Sequence, residues 1–61
     1  MDYLVYEILP GGQLSDVLKR FNYQTEAEDW STKSHREWKF NAGVNKTYYV
    51  YFHGMKVWQT S

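Results

Sequence analysis

The feature that most constrains the fold is a pair of aromatic and β-branched runs, at residues 47–53 and 55–60, joined at His53-Gly54. Such runs favour strands, and Gly54 supplies the positive φ that a two-residue hairpin turn requires. With this turn Tyr51 pairs with Lys56 and Tyr49 pairs with Trp58. Because side chains alternate between the faces of a sheet, we expect these four residues to share one face.

Residues 3–9 form a second apolar run, which is too short for an amphipathic helix and predicts a strand. Pro10-Gly11-Gly12 follows it and predicts a turn. Residues 14–22 are ambiguous. Their apolar residues have the i, i+3, i+4, i+7 spacing of a helix, whereas the short glycine-containing connection favours a hairpin strand. A short helix at 13–21 therefore stays open as the alternative.

A helix is predicted over 25–35. Thr25 and Glu28 have the spacing of an N-terminal capping box, and the first turn is acidic, as the helix dipole favours. In the next segment, 37–41, Trp38 and Phe40 alternate with charged residues, which predicts a short half-buried strand.

These elements predict a small α+β domain over residues 1–61. It has an antiparallel sheet of four to five strands, in the order ββαβββ or ββαββ, with one helix packed on one face. The predicted core is apolar and draws on every element: Leu4, Tyr6, Ile8, Val17, Phe21, Ala27, Trp30, Val50, Phe52 and Val57. A single helix covers only one face of a sheet, so we expect the second face to be exposed to solvent.

Composition argues for binding rather than catalysis. A chain of 61 residues builds a small core and rarely encloses a catalytic pocket. It has no cysteine, which excludes disulfides and thiolate zinc sites, and its two histidines have no metal-ligand spacing. We therefore expect no enzyme activity, no cofactor and no metal site.

The start of the chain lacks the basic and then apolar pattern of a secretory signal, and no stretch is long and apolar enough for a membrane helix. We therefore expect a cytoplasmic protein without a membrane partner.

Aromatic residues make up 20% of the chain, more than a core of this size can hide. Tyr49, Tyr51, Lys56 and Trp58 are accordingly the predicted partner-binding residues. Tyrosine and tryptophan are common anchors of protein interfaces, so a protein partner is the leading hypothesis, and a homodimer is a further one. Aromatics beside lysine also stack on bases and pair with phosphate, so a nucleic-acid-binding module is the alternative.

Net charge is zero but unevenly placed along the chain. Residues 1–37 hold seven acids and four bases, a net charge of −3, while residues 38–61 hold three lysines and no acid. This second part also carries much of the aromatic content, so we expect a basic and aromatic end if the two parts fold onto separate surfaces.

The string from Phe21 through Glu26, Ala27 and Glu28 to Trp30, preceded by Lys19-Arg20 and a glycine-containing turn, resembles the arm-type DNA-binding domain of phage integrases over residues 3–34. The resemblance implies that residues 14–22 are a strand and that Lys19 and Arg20 contact DNA. The nucleic-acid alternative adds two further lysines to this set, Lys39 and Lys56. In size and aromatic content the chain is also similar to the accessory proteins of phages and prophages, which implies binding and inhibition of a host protein.

Overall fold

The computed structural model describes residues 2–60. It contains four strands and one helix: β1 (Tyr3–Glu7), β2 (Lys19–Phe21), α1 (Gln24–Ala42), β3 (Tyr48–Phe52) and β4 (Met55–Gln59). The strands form one antiparallel sheet in the order β2-β1-β3-β4, and α1 packs on one of its faces. The α+β prediction is confirmed, in its ββαββ form.

The β1–β2 connection is a hairpin, so the strand prediction for this region is confirmed and the helix alternative at 13–21 is wrong. β2 is nevertheless shorter than the predicted 14–22. Ahead of it the chain touches β1 through an isolated bridge between Ile8 and Leu14, beyond a turn in which Gly11 and Gly12 both have positive φ. Between this bridge and Lys19 the Glu7 backbone amide donates to the Ser15 side-chain hydroxyl at 2.9 Å, so a side chain replaces a backbone acceptor where the pairing is interrupted.

The β3–β4 hairpin turns at His53 (φ 51°) and Gly54 (φ 75°), as predicted. Two successive positive φ angles match the right-handed twist of the flanking strands, which is why this turn type closes tight hairpins. Phe52 faces Met55 and Tyr51 faces Lys56, in agreement with the predicted register.

Beyond those two pairs the predicted register is wrong. The pairing shifts between Val50 and Tyr51, so that Val50 faces Trp58 and Tyr49 faces Gln59. A shift of one residue moves a side chain to the opposite face of the sheet. Trp58 therefore lies on the helix side of the sheet, and Val57, a predicted core residue, is 40% exposed.

α1 extends to Ala42, so the predicted strand at 37–41 is wrong. The alternation of Trp38 and Phe40 with charged residues spans only four positions, which a helix also satisfies: Trp38 lies near Lys46, whereas Phe40 is 84% exposed. The helix ends at Gly43, whose left-handed φ of 65° favours glycine.

The helix begins one residue earlier than predicted. Tyr23 is its N-cap and no side chain caps it, so the capping box of Thr25 and Glu28 is wrong. Glu28 instead accepts a hydrogen bond of 2.9 Å from the Gln24 side-chain amide. Glu26 does lie in the acidic first turn, where the helix dipole favours a carboxylate.

The core lies between α1 and the sheet. Its buried hydrophobic residues are Val5, Ala27, Tyr48 and Val50, with Tyr3, Phe21, Trp30 and Trp58 packed against them. The predicted core residues Phe21, Ala27, Trp30 and Val50 are thus confirmed.

The prediction for β1 chose the wrong face. Val5 faces Val50 in the core, so Leu4 and Tyr6 point away from the helix, as does Ile8 beyond the end of the strand. β1 is apolar on both sides, so alternation could not identify its buried face. Two further predicted core residues lie at the periphery: Val17 precedes β2 outside any strand, and Phe52 is half-buried, stacked on Tyr3 at 4.2 Å between ring centroids.

Candidate functional site

Strand alternation divides the sheet into two faces of different chemistry. The face that packs against α1, here called the covered face, carries Tyr3, Val5, Tyr48, Val50 and Trp58. The opposite face, here called the bare face, carries Leu4, Tyr6, Arg20, Tyr49, Tyr51, Lys56 and Gln59. Since α1 is the only helix within residues 2–60, no helix covers the bare face.

Three tyrosines form a contiguous cluster at the centre of the bare face. The Tyr6 ring meets the Tyr51 ring edge-on at 5.2 Å between centroids, and Tyr49 and Tyr51 lie nearly parallel at 6.4 Å. All three side chains are half-buried by one another and by the sheet. The contacts hold the rings in defined positions before any partner arrives, which reduces the entropy lost on binding.

Lys56 borders this cluster. Its ammonium group lies 4.5 Å from the centroid of the Tyr49 ring and donates a hydrogen bond of 2.7 Å to the Gln59 side-chain carbonyl. The structure therefore brings together three of the predicted partner-binding residues, Tyr49, Tyr51 and Lys56, and adds Tyr6.

The fourth predicted partner-binding residue, Trp58, does not belong to this surface. The register shift in the β3–β4 hairpin places Trp58 opposite Val50 and against the core. The prediction that Trp58 shares a face with Tyr49 is therefore wrong. The extra residue of a bulge reverses the alternation of side chains on one strand only.

The predicted nucleic-acid residues are scattered. Lys19 faces Val5 and so belongs to the helix side of β2, whereas Arg20 lies on the bare face and pairs with Asp2 at 3.6 Å. Lys56 is on the same face at the opposite edge strand, and Lys39 is on α1. These four cations do not form one continuous surface.

Neither edge of the sheet offers a long regular strand to a partner. β2 has three residues, two of them basic, and β4 is interrupted by the register shift and carries Lys56. Short strands, bulges and lysines are the usual devices that prevent edge-to-edge pairing. The faces of the sheet are therefore better placed than its edges to bind another molecule.

A polar cluster that the sequence did not reveal ties the segment before β3 to the rest of the fold. The Lys46 ammonium lies 3.7 Å from a Glu7 carboxylate oxygen and 3.9 Å from the Trp38 ring centroid, while His35 Nδ1 donates to the Lys46 carbonyl at 2.6 Å. Burial and then the nearby Glu7 charge raise the pKa of Tyr48 above its ordinary value of 10.0, and the Trp38 side chain acts in the opposite direction and lowers it.

A second surface missed by the sequence analysis is a groove between α1 and β4, with a volume of about 320 Å³. Its lining includes His35, Arg36, Lys39 and Phe40 from the helix and Trp58 from the strand. The predicted helix ends at residue 35 and the predicted hairpin register places Trp58 on the other face, so neither prediction brings these residues together. The signal in the sequence was Gly43, because a glycine often marks the C-terminal end of a helix.

Within the described part of the chain, α1 is too polar to cross a membrane, and no three His, Cys, Asp or Glu side chains are grouped so that they could hold a metal ion. Comparison of the chain with protein-family models, with curated proteins and with solved structures gave no match. The resemblance of residues 3–34 to integrase arm-binding domains stays a prediction.

Proposed function

We propose that this chain is a non-enzymatic binding protein that engages a protein partner through the bare face. The observation that carries the proposal is the preordered cluster of Tyr6, Tyr49 and Tyr51 on a sheet face that no helix covers. Tyrosine supplies a large, rigid contact area with a polar tip, so it tolerates water in the free protein and is buried at little entropic cost in a complex.

The cations on this face favour a protein over a nucleic acid. Lys56 is already engaged with the Tyr49 ring and Gln59, and Arg20 is paired with Asp2. Phosphate binding would have to replace these contacts, and affinity for nucleic acid depends chiefly on phosphate neutralisation.

A standard interface buries about 800 Å² on each partner, which is roughly a fifth of the 4389 Å² accessible surface of this chain. Such a small binding surface on a minimal scaffold is in keeping with the further proposal that the chain is a phage or prophage accessory protein that inhibits a host protein.

The test is affinity capture from a bacterial lysate with three tagged proteins that have the same fold. These are the wild type, the double variant Tyr49→Ser/Tyr51→Ser, and Tyr23→Ser as the matched control, which removes a 67% exposed tyrosine ring at the start of α1, away from the bare face. We expect one discrete protein to be enriched by the wild type and by Tyr23→Ser and lost from the double variant, because truncating interface tyrosines costs about 2 kcal/mol or more. Near-ultraviolet circular dichroism of each variant checks that it is folded.

Identical capture by all three proteins would contradict the proposal. Sedimentation equilibrium of the purified chain addresses the homodimer separately. A mass that doubles with concentration in the wild type, and stays monomeric in the double variant, would identify a second copy as the protein partner.

A further inference from the structure

The groove between α1 and β4 combines free positive charge with aromatic surface. Arg36 and Lys39 line it, one helical turn apart, and among residues 2–60 neither forms an ion pair. His35 adds a third basic side chain, whose ring is held in place by the hydrogen bond from Nδ1 to the Lys46 carbonyl. The lining contains no acidic residue, so the groove is complementary to an anion; Asp29 and Glu37 line an adjoining depression that shares Arg36 and Phe40 with it.

The groove also has an aromatic part. Phe40 is 84% exposed on the helix side, and Trp58 is half-buried on the strand side. Phe40 is not needed to close the core, since the buried helix residues are Ala27 and Ser31, whereas Trp58 contributes to the core as well as to the groove. An exposed aromatic next to unpaired cations matches the composition of surfaces that hold unpaired bases.

We propose that this groove binds single-stranded nucleic acid over one or two nucleotides, with a base against Phe40 and Trp58 and a phosphate against Arg36 and Lys39. The volume of about 320 Å³ is at the small end of ligand sites, which suits a nucleotide rather than a duplex. An acidic peptide would neutralise the cations but has no group that must contact Phe40, whereas a nucleotide contacts both the cations and the aromatic rings. The site goes beyond the proposed function and lies on the other side of the sheet from the bare face.

The experiment measures fluorescence anisotropy of fluorescein-labelled dT12 at 50 mM salt, titrated with the full chain. Arg36→Glu/Lys39→Glu is expected to weaken binding by more than tenfold, and Phe40→Ser by about tenfold, within the range for loss of one stacked base. The matched control is Lys33→Glu, a charge reversal on the same helix at a residue outside the groove lining, which should change affinity by less than threefold. Trp58 stays unaltered because it packs against the core.

The proposal would be overturned if the wild type showed no measurable binding of dT12, or if Lys33→Glu and the groove variants lost affinity equally. It would also be overturned if a decaglutamate peptide displaced dT12 at the concentration at which unlabelled dT12 does, which would identify the groove as a site for acidic peptides. Tyr49→Ser/Tyr51→Ser is expected to keep its affinity for dT12. Loss of binding in that variant, with retention in the groove variants, would move the nucleic-acid site to the bare face and overturn the groove assignment.

Discussion

The two faces of the sheet are both apolar and aromatic, yet they have different roles. On the covered face Val5 and Val50 are fully buried and face each other across β1 and β3. On the bare face the equivalent positions are taken by Tyr6, Tyr49 and Tyr51, which remain half-exposed. The two faces differ less in total hydrophobicity than in polar groups: the tyrosines of the bare face carry a hydroxyl that can stay in water, and the valines of the covered face do not.

Tyrosine appears on both faces, and its surroundings decide what it does. Tyr48 on the covered face is buried and meets the Trp30 ring edge-on at 5.7 Å between centroids, so the residue acts as part of the core. The bare-face tyrosines contact mainly one another. A residue type that is compatible with both environments allows a chain of this size to hold a core and a binding surface on a single sheet.

The largest effect is expected from the aromatic residue that joins the helix to the covered face. Trp30 lies between Phe21 and Tyr48, at 6.3 and 5.7 Å between ring centroids. Trp30→Ala should lower the free energy of unfolding by about 3 kcal/mol, because it leaves a cavity between helix and sheet. Urea denaturation followed by far-ultraviolet circular dichroism measures the change.

Phe40→Ala is the control for this substitution. It removes an aromatic ring from the same helix at a position that is 84% exposed, and should change stability by no more than about 0.5 kcal/mol. Equal losses in Trp30→Ala and Phe40→Ala would show that the ring of Phe40 is also part of the core, and the distinction between packed and exposed aromatics would fail.

A smaller effect separates the two kinds of tyrosine directly. Tyr48→Phe removes a buried hydroxyl that interacts with the Trp38 side chain, and should cost about 1 kcal/mol of unfolding free energy. Tyr49→Phe makes the same chemical change on the bare face, where no hydrogen bond to the hydroxyl is lost, and should be neutral to within a few tenths of a kcal/mol. Denaturant midpoints that shift equally in both variants would abolish the difference between the faces.

The parts of the fold that sequence could predict depend on local chemistry. The His53-Gly54 turn and the first two pairs of its hairpin follow from backbone preferences of two adjacent residues. The end of the helix did not follow, because Trp38 and Phe40 fit a strand period as well as a helix over so short a segment. The buried face of β1 was likewise undetermined, since Leu4 and Val5 are both apolar.

The candidate site was predicted only as far as the hairpin register held. Tyr51 and Lys56 precede the shift and were placed correctly, whereas Trp58 follows it and was not. A bulge is selected by how the strands pack in three dimensions and leaves no mark on hydrophobic alternation. The groove on the helix side could not be predicted, because it requires Trp58 on that side and a helix that reaches Phe40, and both predictions were wrong.

The last and smallest expected effect uses pH to compare the tyrosines. Burial beside Glu7 raises the pKa of Tyr48, so the folded chain keeps this proton to a higher pH than the unfolded chain does. The contribution is fully present below pH 10.0, the ordinary pKa, and is lost as the pH rises through the folded-state value, because deprotonation then favours the unfolded chain. Urea midpoints measured from pH 8 to pH 11 should therefore fall for the wild type and fall less for Tyr48→Phe. Tyr49→Phe should retain the wild-type slope, and a slope unchanged by Tyr48→Phe would mean that the Tyr48 hydroxyl ionises as freely in the core as it does in water.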